Sequence, residues 1–269
     1  TGAMPPPADA VAKSLVEAAT AREKLNREIG SFLSSYDFVD YIVCDKDERI
    51  LTASQSELTG HDPIEEYRDF LRPALKGRTV VSAPFPSVSA IKDASGKLRY
   101  DVPTMFVTAP VRDNTFQVVA AVAFRIRPEA EFTSILQTGR IGASGETYAV
   151  NRDGLMVSNS RFDKELVLAG ILPESAESAS ILNVRCIDPG GDVTGGFRPG
   201  VLRSELPLNT MAKSLSAGES GLQVDGYRDY RGVPVVGAWR WLPEYNIGVA
   251  TEIDYAEAFR PLTILRWVF

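Results

Sequence analysis

The sequence has no hydrophobic run long enough to cross a bilayer. Its longest unbroken apolar stretch covers 118–124, whereas a spanning helix needs about 20 residues. The residues Thr1 to Met4 lack the basic and apolar regions of a secretory signal peptide and resemble a remnant of an expression tag.

Basic residues are also in the minority. The chain of 269 residues has 29 Lys and Arg against 35 Asp and Glu, which gives a formal charge of −6. It lacks the clustered cations that nucleic-acid phosphates require, so we predict no nucleic-acid partner.

Histidine and cysteine are scarce. The single histidine, His61, lies in a turn-like Thr-Gly-His-Asp-Pro sequence, and a Ser-His-Asp hydrolase would have to use it as its general base. The Gly-x-Ser-x-Gly, Walker, His-Glu-x-x-His and Gly-x-Gly-x-x-Gly motifs are absent. Cys44 and Cys186 fit no metal spacing, and they are either unpaired or joined in one long-range disulfide. We therefore predict no enzymatic activity, no metal and no cofactor.

An amphipathic helix is predicted after the Pro5-Pro6-Pro7 breaker. A heptad seam, interrupted only by Arg22, consists of Val11, Leu15, Ala18, Arg22, Leu25, Ile29, Phe32 and Tyr36. Two compatible interpretations remain open: the seam packs on its own domain, or part of it pairs with a second copy of the chain.

Beyond this helix the order of elements repeats. Hairpins are predicted at 41–51 and 148–157, each opening with Tyr-x-Val and turning at an Asp. Strands predicted at 79–85, 105–111 and 117–126 follow the first hairpin, and strands at 223–230, 233–242 and 247–253 follow the second. The last strands correspond at a constant offset of 127 residues. The sequence therefore predicts an α+β protein with two copies of one unit, each an antiparallel sheet of about five strands flanked by helices.

The predicted organisation has four parts. Residues 1–36 form the tag remnant and stalk helix, 37–135 a first module, 136–254 a second module, and 255–269 a C-terminal helix that Asp254 caps. Because the chain ends on the apolar sequence Ile-Leu-Arg-Trp-Val-Phe, we expect a membrane-spanning segment beyond Phe269; a natural terminus docked on the core is the alternative. Trp239 and Trp241 share one face of a strand and are predicted to be core residues.

At this point the chain resembles the double Cache domain, a two-module PAS-like extracytoplasmic sensor of bacterial receptor kinases, cyclases and chemoreceptors. The most specific stretches are GRIGASGETYAVNRDG at 139–154, SNSRF at 158–162 and GYRDYRGVPVVGAW at 226–239. The resemblance implies that the full-length protein is anchored in an inner or plasma membrane and that a small ligand binds in the membrane-distal first module.

The same resemblance implies a set of ligand-binding residues in the region of the first module. These are Tyr67, Arg72, Phe85, Tyr100, Asp101, Phe106, Thr108 and Arg125. Amino-acid-binding members carry an Arg-x-Trp-Tyr cluster and a later Asp, whereas Pro73 and Ala74 follow Arg72 here and Arg125 replaces the Asp. One hypothesis is that Arg72 and Arg125 face one cavity and hold a small carboxylate or other anion. The other is that Arg125 points to solvent or pairs with Glu129 or Glu131.

The expected function is therefore small-molecule sensing by the extracytoplasmic part of a transmembrane receptor. The signal would pass through the terminal helices. We also expect that the chain can form a homodimer through its N-terminal helix. The alternative is a secreted stand-alone binding or hydrolytic protein built from the same α+β units.

Overall fold

The computed structural model describes residues 8–36, 38–92, 97–175 and 178–261. The tag remnant and the residues 262–269, with the expected helix continuation through Leu262 and Leu265, lie outside the described residues. Among those that are described, no helix is both long and apolar enough to span a bilayer.

The chain folds into six helices and twelve strands over the described residues. The helices are α1 (Ala8–Tyr36), α2 (Glu65–Leu75), α3 (Phe132–Gln137), α4 (Asp163–Leu168), α5 (Thr210–Ser216) and α6 (Tyr255–Ala258). The strands up to 126 are β1 (Asp40–Asp45), β2 (Ile50–Ala53), β3 (Val80–Val81), β4 (Phe85–Pro86), β5 (Ile91–Lys92), β6 (Leu98–Arg99), β7 (Pro103–Arg112) and β8 (Val118–Ile126). The later strands are β9 (Glu146–Val150), β10 (Gly221–Arg228), β11 (Pro234–Leu242) and β12 (Ile247–Asp254). The α+β class is confirmed.

Two compact units divide the chain. The first comprises Thr1–Ser82 and Phe106–Ile126, and the second comprises Ala83–Met105 and Arg127–Phe269. This division differs from the boundary expected at 135 and 136. Ala83 and the α3 residues Phe132 and Leu136 pack in one apolar cluster with Ala149, Val157 and Ile247, so 83–105 and 127–135 are grouped with the second unit.

The first unit is built on an antiparallel sheet of order β2-β1-β8-β7-β3. The short strand β4 pairs with Pro103 and Thr104 at the start of β7, which are grouped with the second unit. Successive side chains of β8 project from alternate faces of this sheet. Ala121 and Ala123 are buried on one face, while Val122 and Phe124 face the cluster that α1 covers.

The long helix α1 packs on its own unit through its C-terminal part. Ile29 and Leu33 contact Tyr41 and Val43 of β1, and Asn26 accepts hydrogen bonds from the hydroxyls of Tyr41 and Thr52. Other apolar residues of the helix stay exposed, with Val16 at 65% and Phe32 at 40%. The first interpretation of the seam therefore holds for Ile29 and for Phe32, whose ring lies 5.2 Å from that of Phe124. Farther toward the N-terminus, Leu25, Arg22 and Ala18 of the seam are exposed.

The second unit is built on an antiparallel sheet of order β10-β11-β12-β9. Trp239, Trp241, Met211, Ala212 and Leu215 share its main core, which confirms the interpretation of the tryptophans as core residues. The expected strand at 155–157 forms isolated bridges only. Leu155 pairs with Arg185 while Met156 pairs with Val150, so the segment cannot continue one regular ladder.

The two cysteines do not form a disulfide with each other. Both Cys44 and Cys186 are buried and free.

Candidate functional site

A buried guanidinium lies at the centre of the first unit. Arg125, near the end of β8, is 1% exposed. Its Nε lies 3.2 Å from Asp40 Oδ1, and its Nη2 donates to the Tyr67 hydroxyl at 2.9 Å. The guanidinium carbon is 5.0 Å from the centroid of the Phe106 ring. The site combines one cation, one carboxylate, one phenol and an aromatic face.

The register of the sheet creates the ion pair. Asp40 opens β1 and is the direct cross-strand partner of Arg125, so both side chains project from the same face. Small residues precede Arg125 on that face, Ala121 and Ala123, and they leave room for α2 to approach. Helix α2 then covers the pair, because its buried face contains Tyr67, Phe70, Leu71 and Ala74 at helical spacing.

Burial and the opposite charge act in opposite directions on the Asp40 carboxylate. Burial raises the pKa of Asp40, and the nearby Arg125 acts against that rise. Since isolated buried charges are costly, each member depends on the other. The hypotheses that Arg125 points to solvent or pairs with Glu129 or Glu131 are wrong, since it is buried and its carboxylate partner is Asp40.

Aromatic rings and one hydroxyl complete this face of the sheet. The rings of Phe70 and Phe106 stack with centroids 4.7 Å apart, and Tyr67 lies 5.2 Å from Phe106. Thr108, two residues after Phe106 on β7, is fully buried, and its hydroxyl has no hydrogen-bond partner among the described residues. A buried, unsatisfied hydroxyl is costly, and such a group often marks a ligand or water position.

Arg72 lies elsewhere. Its side chain is 50% exposed, and its Nε is 2.7 Å from Glu48 Oε1. With Lys46 and Lys76 it lines a separate surface cleft. The hypothesis that Arg72 and Arg125 face one cavity is wrong, because Arg72 falls on the outer side of α2 when Tyr67, Leu71 and Ala74 face inward.

Three further predicted residues belong to the second unit. Phe85 is half-buried and pairs with Thr104. Tyr100 is 65% exposed, and Asp101 is exposed with a left-handed φ of 57°. Of the eight predicted residues, the structure brings Tyr67, Phe106, Thr108 and Arg125 to the face that α2 covers.

Sequence reasoning missed Asp40 and Phe70. Asp40 looks like the polar lead-in to a hairpin, and only the register between β1 and β8 places it opposite Arg125. Phe70 carried a usable signal, since it lies three residues after Tyr67 on an amphipathic helix.

The second unit contains a buried cluster of carboxylates, formed by Glu146, Asp229 and Glu252, whose nearest oxygens lie within 4.8 Å of one another. We call it the carboxylate cluster. Each carboxylate already accepts hydrogen bonds from protein groups. The donor set is therefore occupied by the protein itself and carries no argument for a bound metal.

The structure places the two residues considered for a hydrolase in different surroundings. His61 is exposed, and its carbonyl accepts the amide of Ile50. Ser144, in the sequence that comes near a nucleophile elbow, donates its hydroxyl to Glu257.

Known proteins resemble this chain in structure. No family model and no curated protein matches the sequence. The periplasmic domain of RsbU from Chlamydia trachomatis is 11% identical with a TM-score of 0.47, covering 94% of this chain and 95% of that one. The ligand-binding domain of the Pseudomonas aeruginosa amino acid chemoreceptor PctB, in complex with L-Arg, is 12% identical with a TM-score of 0.46, covering 93% and 90%.

The sensor domain of the Vibrio cholerae histidine kinase DctB is 10% identical with a TM-score of 0.45, covering 89% of this chain and 81% of that one. At such identities and TM-scores, the likeness does not decide what this chain binds. Arguments about its ligand must therefore come from the residues of this chain.

Proposed function

We propose that this chain is the extracytoplasmic small-molecule-sensing part of a transmembrane receptor and performs no catalysis. The observation that carries the proposal is the buried polar group of Arg125, Asp40, Tyr67 and Thr108 beneath α2, set against the Phe106 ring. A core without a recognition role gains little from an ion pair, because apolar side chains of similar volume fill the space at no desolvation cost.

The ligand class follows from the guanidinium. Its planar fork of donors matches a carboxylate, and an aromatic ring beside it excludes water. A ligand carboxylate would take the place of Asp40 at Arg125, because burial raises the pKa of Asp40 and weakens its hold as an anion. The Thr108 hydroxyl would supply the ligand with one further hydrogen bond. The proposed ligand is therefore a small organic acid.

Transmission of binding requires a two-state element. Asp40 lies four residues after the end of α1, so its release from Arg125 would change the attachment of that helix. A ligand shifts such an equilibrium only by its differential affinity for the two states. We propose that α1 and the C-terminal helix carry the change toward the membrane, and that a second copy pairs with the exposed apolar part of α1.

A thermal-shift screen against small acids, amines, sugars and nucleobases tests the proposal. An acid at 100 times its dissociation constant adds about 2.7 kcal/mol to the stability. Thr108→Val should weaken that acid about tenfold or more, since a hydrogen bond to a charged group contributes about 1.5–3 kcal/mol. The matched control Thr79→Val changes an exposed threonine and should leave affinity unchanged. Stabilisation by cationic amines alone, or equal affinity of both variants and wild type, would contradict the proposed site.

A further inference from the structure

The carboxylate cluster places two acids directly opposite each other. Glu146 on β9 is the cross-strand partner of Glu252 on β12, and both are buried. Asp229 approaches from the turn between β10 and β11. Like charges directly opposite in a sheet are destabilising even at a surface, and in a buried site two carboxylates cannot both ionise at ordinary cost.

At the corresponding position of its sheet, the first unit has an oppositely charged cross-strand pair. Arg125 on β8 and Glu252 on β12 correspond at the offset of 127 residues, and the partners across the sheet are Asp40 and Glu146. In the first unit, opposite charges neutralise each other. In the second, both partners are acids, so they cannot neutralise each other.

Tyrosines surround the cluster. Tyr148 donates to Glu252 at 2.8 Å and Tyr227 at 2.5 Å. Tyr230 donates to Glu146 at 2.6 Å, and Glu146 also accepts the Ser160 hydroxyl and the Arg161 amide, each at 3.0 Å. Because a phenol both donates and accepts, these contacts tolerate either protonation state of the acids.

Positive charge near the cluster is limited. Arg231 pairs with Asp229 at 2.6 Å and with Asp254 at 2.7 Å, so two carboxylates share it. Arg203 is turned to the backbone carbonyls of Arg185 and Tyr230. The remaining titratable neighbours are Cys186 and the three tyrosines, all of which are neutral.

Burial is the largest influence on these acids. It raises the pKa of Glu252 to about 8, and Asp229 and Glu146 add to that rise. Burial also raises the pKa of Asp229, to about 6, against the effect of Arg231, and it raises the pKa of Glu146 against the hydrogen bond from Tyr230. Glu146 accepts the Arg161 amide, which can only donate, whereas both hydrogen-bond partners of Glu252 are phenols, which can also accept. The contacts therefore favour the proton on Glu252.

The cluster is connected to the start of α6. Arg231 holds Asp254, whose amide donates to the Ser144 hydroxyl at 3.1 Å. Glu257 of α6 accepts the amides of Ala143 at 2.8 Å and Ser144 at 2.7 Å. The loop that makes these contacts leads directly into Glu146.

Arg161 ties this loop to the cluster from the other side. Its amide donates to Glu146, and its guanidinium donates to the carbonyls of Gly145 at 2.7 Å and Gly142 at 3.1 Å. Opening of the cluster would therefore disturb both attachments of α6, at Asp254 and at Glu257.

We infer that the carboxylate cluster is a proton-linked clamp: a proton held on Glu252 keeps α6 attached to the second unit, and release of that proton accompanies detachment of the helix. In the detached state water reaches Glu252, and its carboxylate ionises as an ordinary glutamate does. Low pH closes the clamp and high pH opens it. This inference does not depend on a ligand in the first unit.

Protection of α6 is read from hydrogen exchange of the Ala143, Ser144 and Asp254 amides, because their hydrogen bonds attach the helix to the second unit. Corrected for intrinsic rates, this exchange tests the linkage on the full chain. Between about pH 5 and pH 8 the opening constant should rise with pH, with tenfold per pH unit as the ceiling for one proton. Glu252→Gln keeps an uncharged side chain of the same shape, so its α6 protection should not vary with pH. The matched control Glu244→Gln changes an exposed acid and should behave as wild type.

A direct measurement of the proton makes the test independent of the variants. Carbon-13 NMR of the glutamate side-chain carboxyls in the wild type should show one carboxyl that is still protonated at pH 7, and through-bond couplings to the backbone should assign it to Glu252. All glutamates ionised at pH 7 would overturn the inference. So would a protonated Glu252 combined with pH-independent protection of α6. If Glu252→Gln does not fold, these two wild-type observations still decide the matter.

Discussion

Two arginines that look alike in the sequence have different surroundings. Arg125 is enclosed by Asp40, Tyr67 and Phe106, whereas Arg72 lies at the surface beside Glu48. Removing a buried charge leaves its partner unpaired in a low dielectric, while an exposed ion pair is replaced by water. The difference in environment predicts a difference in energetic importance.

Arg125→Ala should therefore lower the free energy of unfolding by about 3–5 kcal/mol, because it strands Asp40 in the core. Arg72→Ala, the matched change at the surface, should cause a much smaller loss, because water replaces the exposed ion pair with Glu48. Urea unfolding followed by circular dichroism measures both. Equal losses in the two variants would mean that the Asp40 pair has no special role.

At the scale of elements, one turn carries much of the polar network in the second unit. Residues 229–232 lie between β10 and β11, where Asp229 accepts the amides of Arg231 and Val233. Gly232 has a φ of 79°, and a Cβ there would lie 1.9 Å from the carbonyl oxygen of Gly191. The position can accept only glycine, which explains the Arg-Gly dipeptide that the sequence shows as a turn signal.

Gly232→Ala should destabilise the protein by more than about 2 kcal/mol, since a left-handed backbone and a backbone clash act together. Gly200→Ala is the control, because a Cβ at Gly200 meets nothing within 4 Å, and its effect should stay within about 0.5 kcal/mol. Thermal unfolding of the two variants gives the comparison. A Gly232→Ala protein as stable as wild type would show that the turn is not constrained in this way.

The exposed apolar side chains of α1 lead to a prediction about association. Leu25 is 37% exposed on the heptad seam, and a buried charge at a seam position opposes pairing of two helices. Leu25→Lys should weaken dimerisation at least tenfold, while Lys24→Gln, off the seam, should not. Sedimentation velocity over a concentration series measures this. A wild type that stays monomeric at its highest soluble concentration would contradict pairing through α1.

Sequence patterns predicted the elements better than the partners of individual residues. Strands β7, β8, β11 and β12 follow from alternation and turn signals, and the offset of 127 identified β8 and β12 as corresponding strands. The partner of Arg125 was missed because pairing across β1 and β8 joins residues far apart in sequence. The grouping of 83–105 with the second unit was missed for the same reason.

At the scale of the whole molecule, the buried acids determine how stability depends on pH. The pKa values of Asp40, Glu146, Asp229 and Glu252 are all raised by burial. An acid whose folded pKa exceeds its unfolded value contributes stability at low pH that is lost as pH rises toward the folded value. Surface acids with lowered pKa values, such as Glu48 and Asp188, contribute stability at neutral pH. They lose that stability only when they become protonated, below about pH 4.

The free energy of unfolding should therefore fall between about pH 5 and pH 8, with a maximum in mildly acidic solution. Urea unfolding at a series of pH values measures the curve, and Glu252→Gln should flatten it. A stability that stays constant or rises from pH 5 to pH 8 would contradict this, because acids that are ionised in both the folded and the unfolded state add no fall in stability over this range.

Binding of the proposed organic acid at Arg125 can be observed directly by an NMR titration of isotope-labelled protein, with the acid that gives the largest thermal shift. We expect saturable shifts at Tyr67, Phe106, Thr108 and Arg125, with movement of the Asp40 carboxyl signal. Saturable binding with those signals unmoved, or no binding by any small acid, would contradict it.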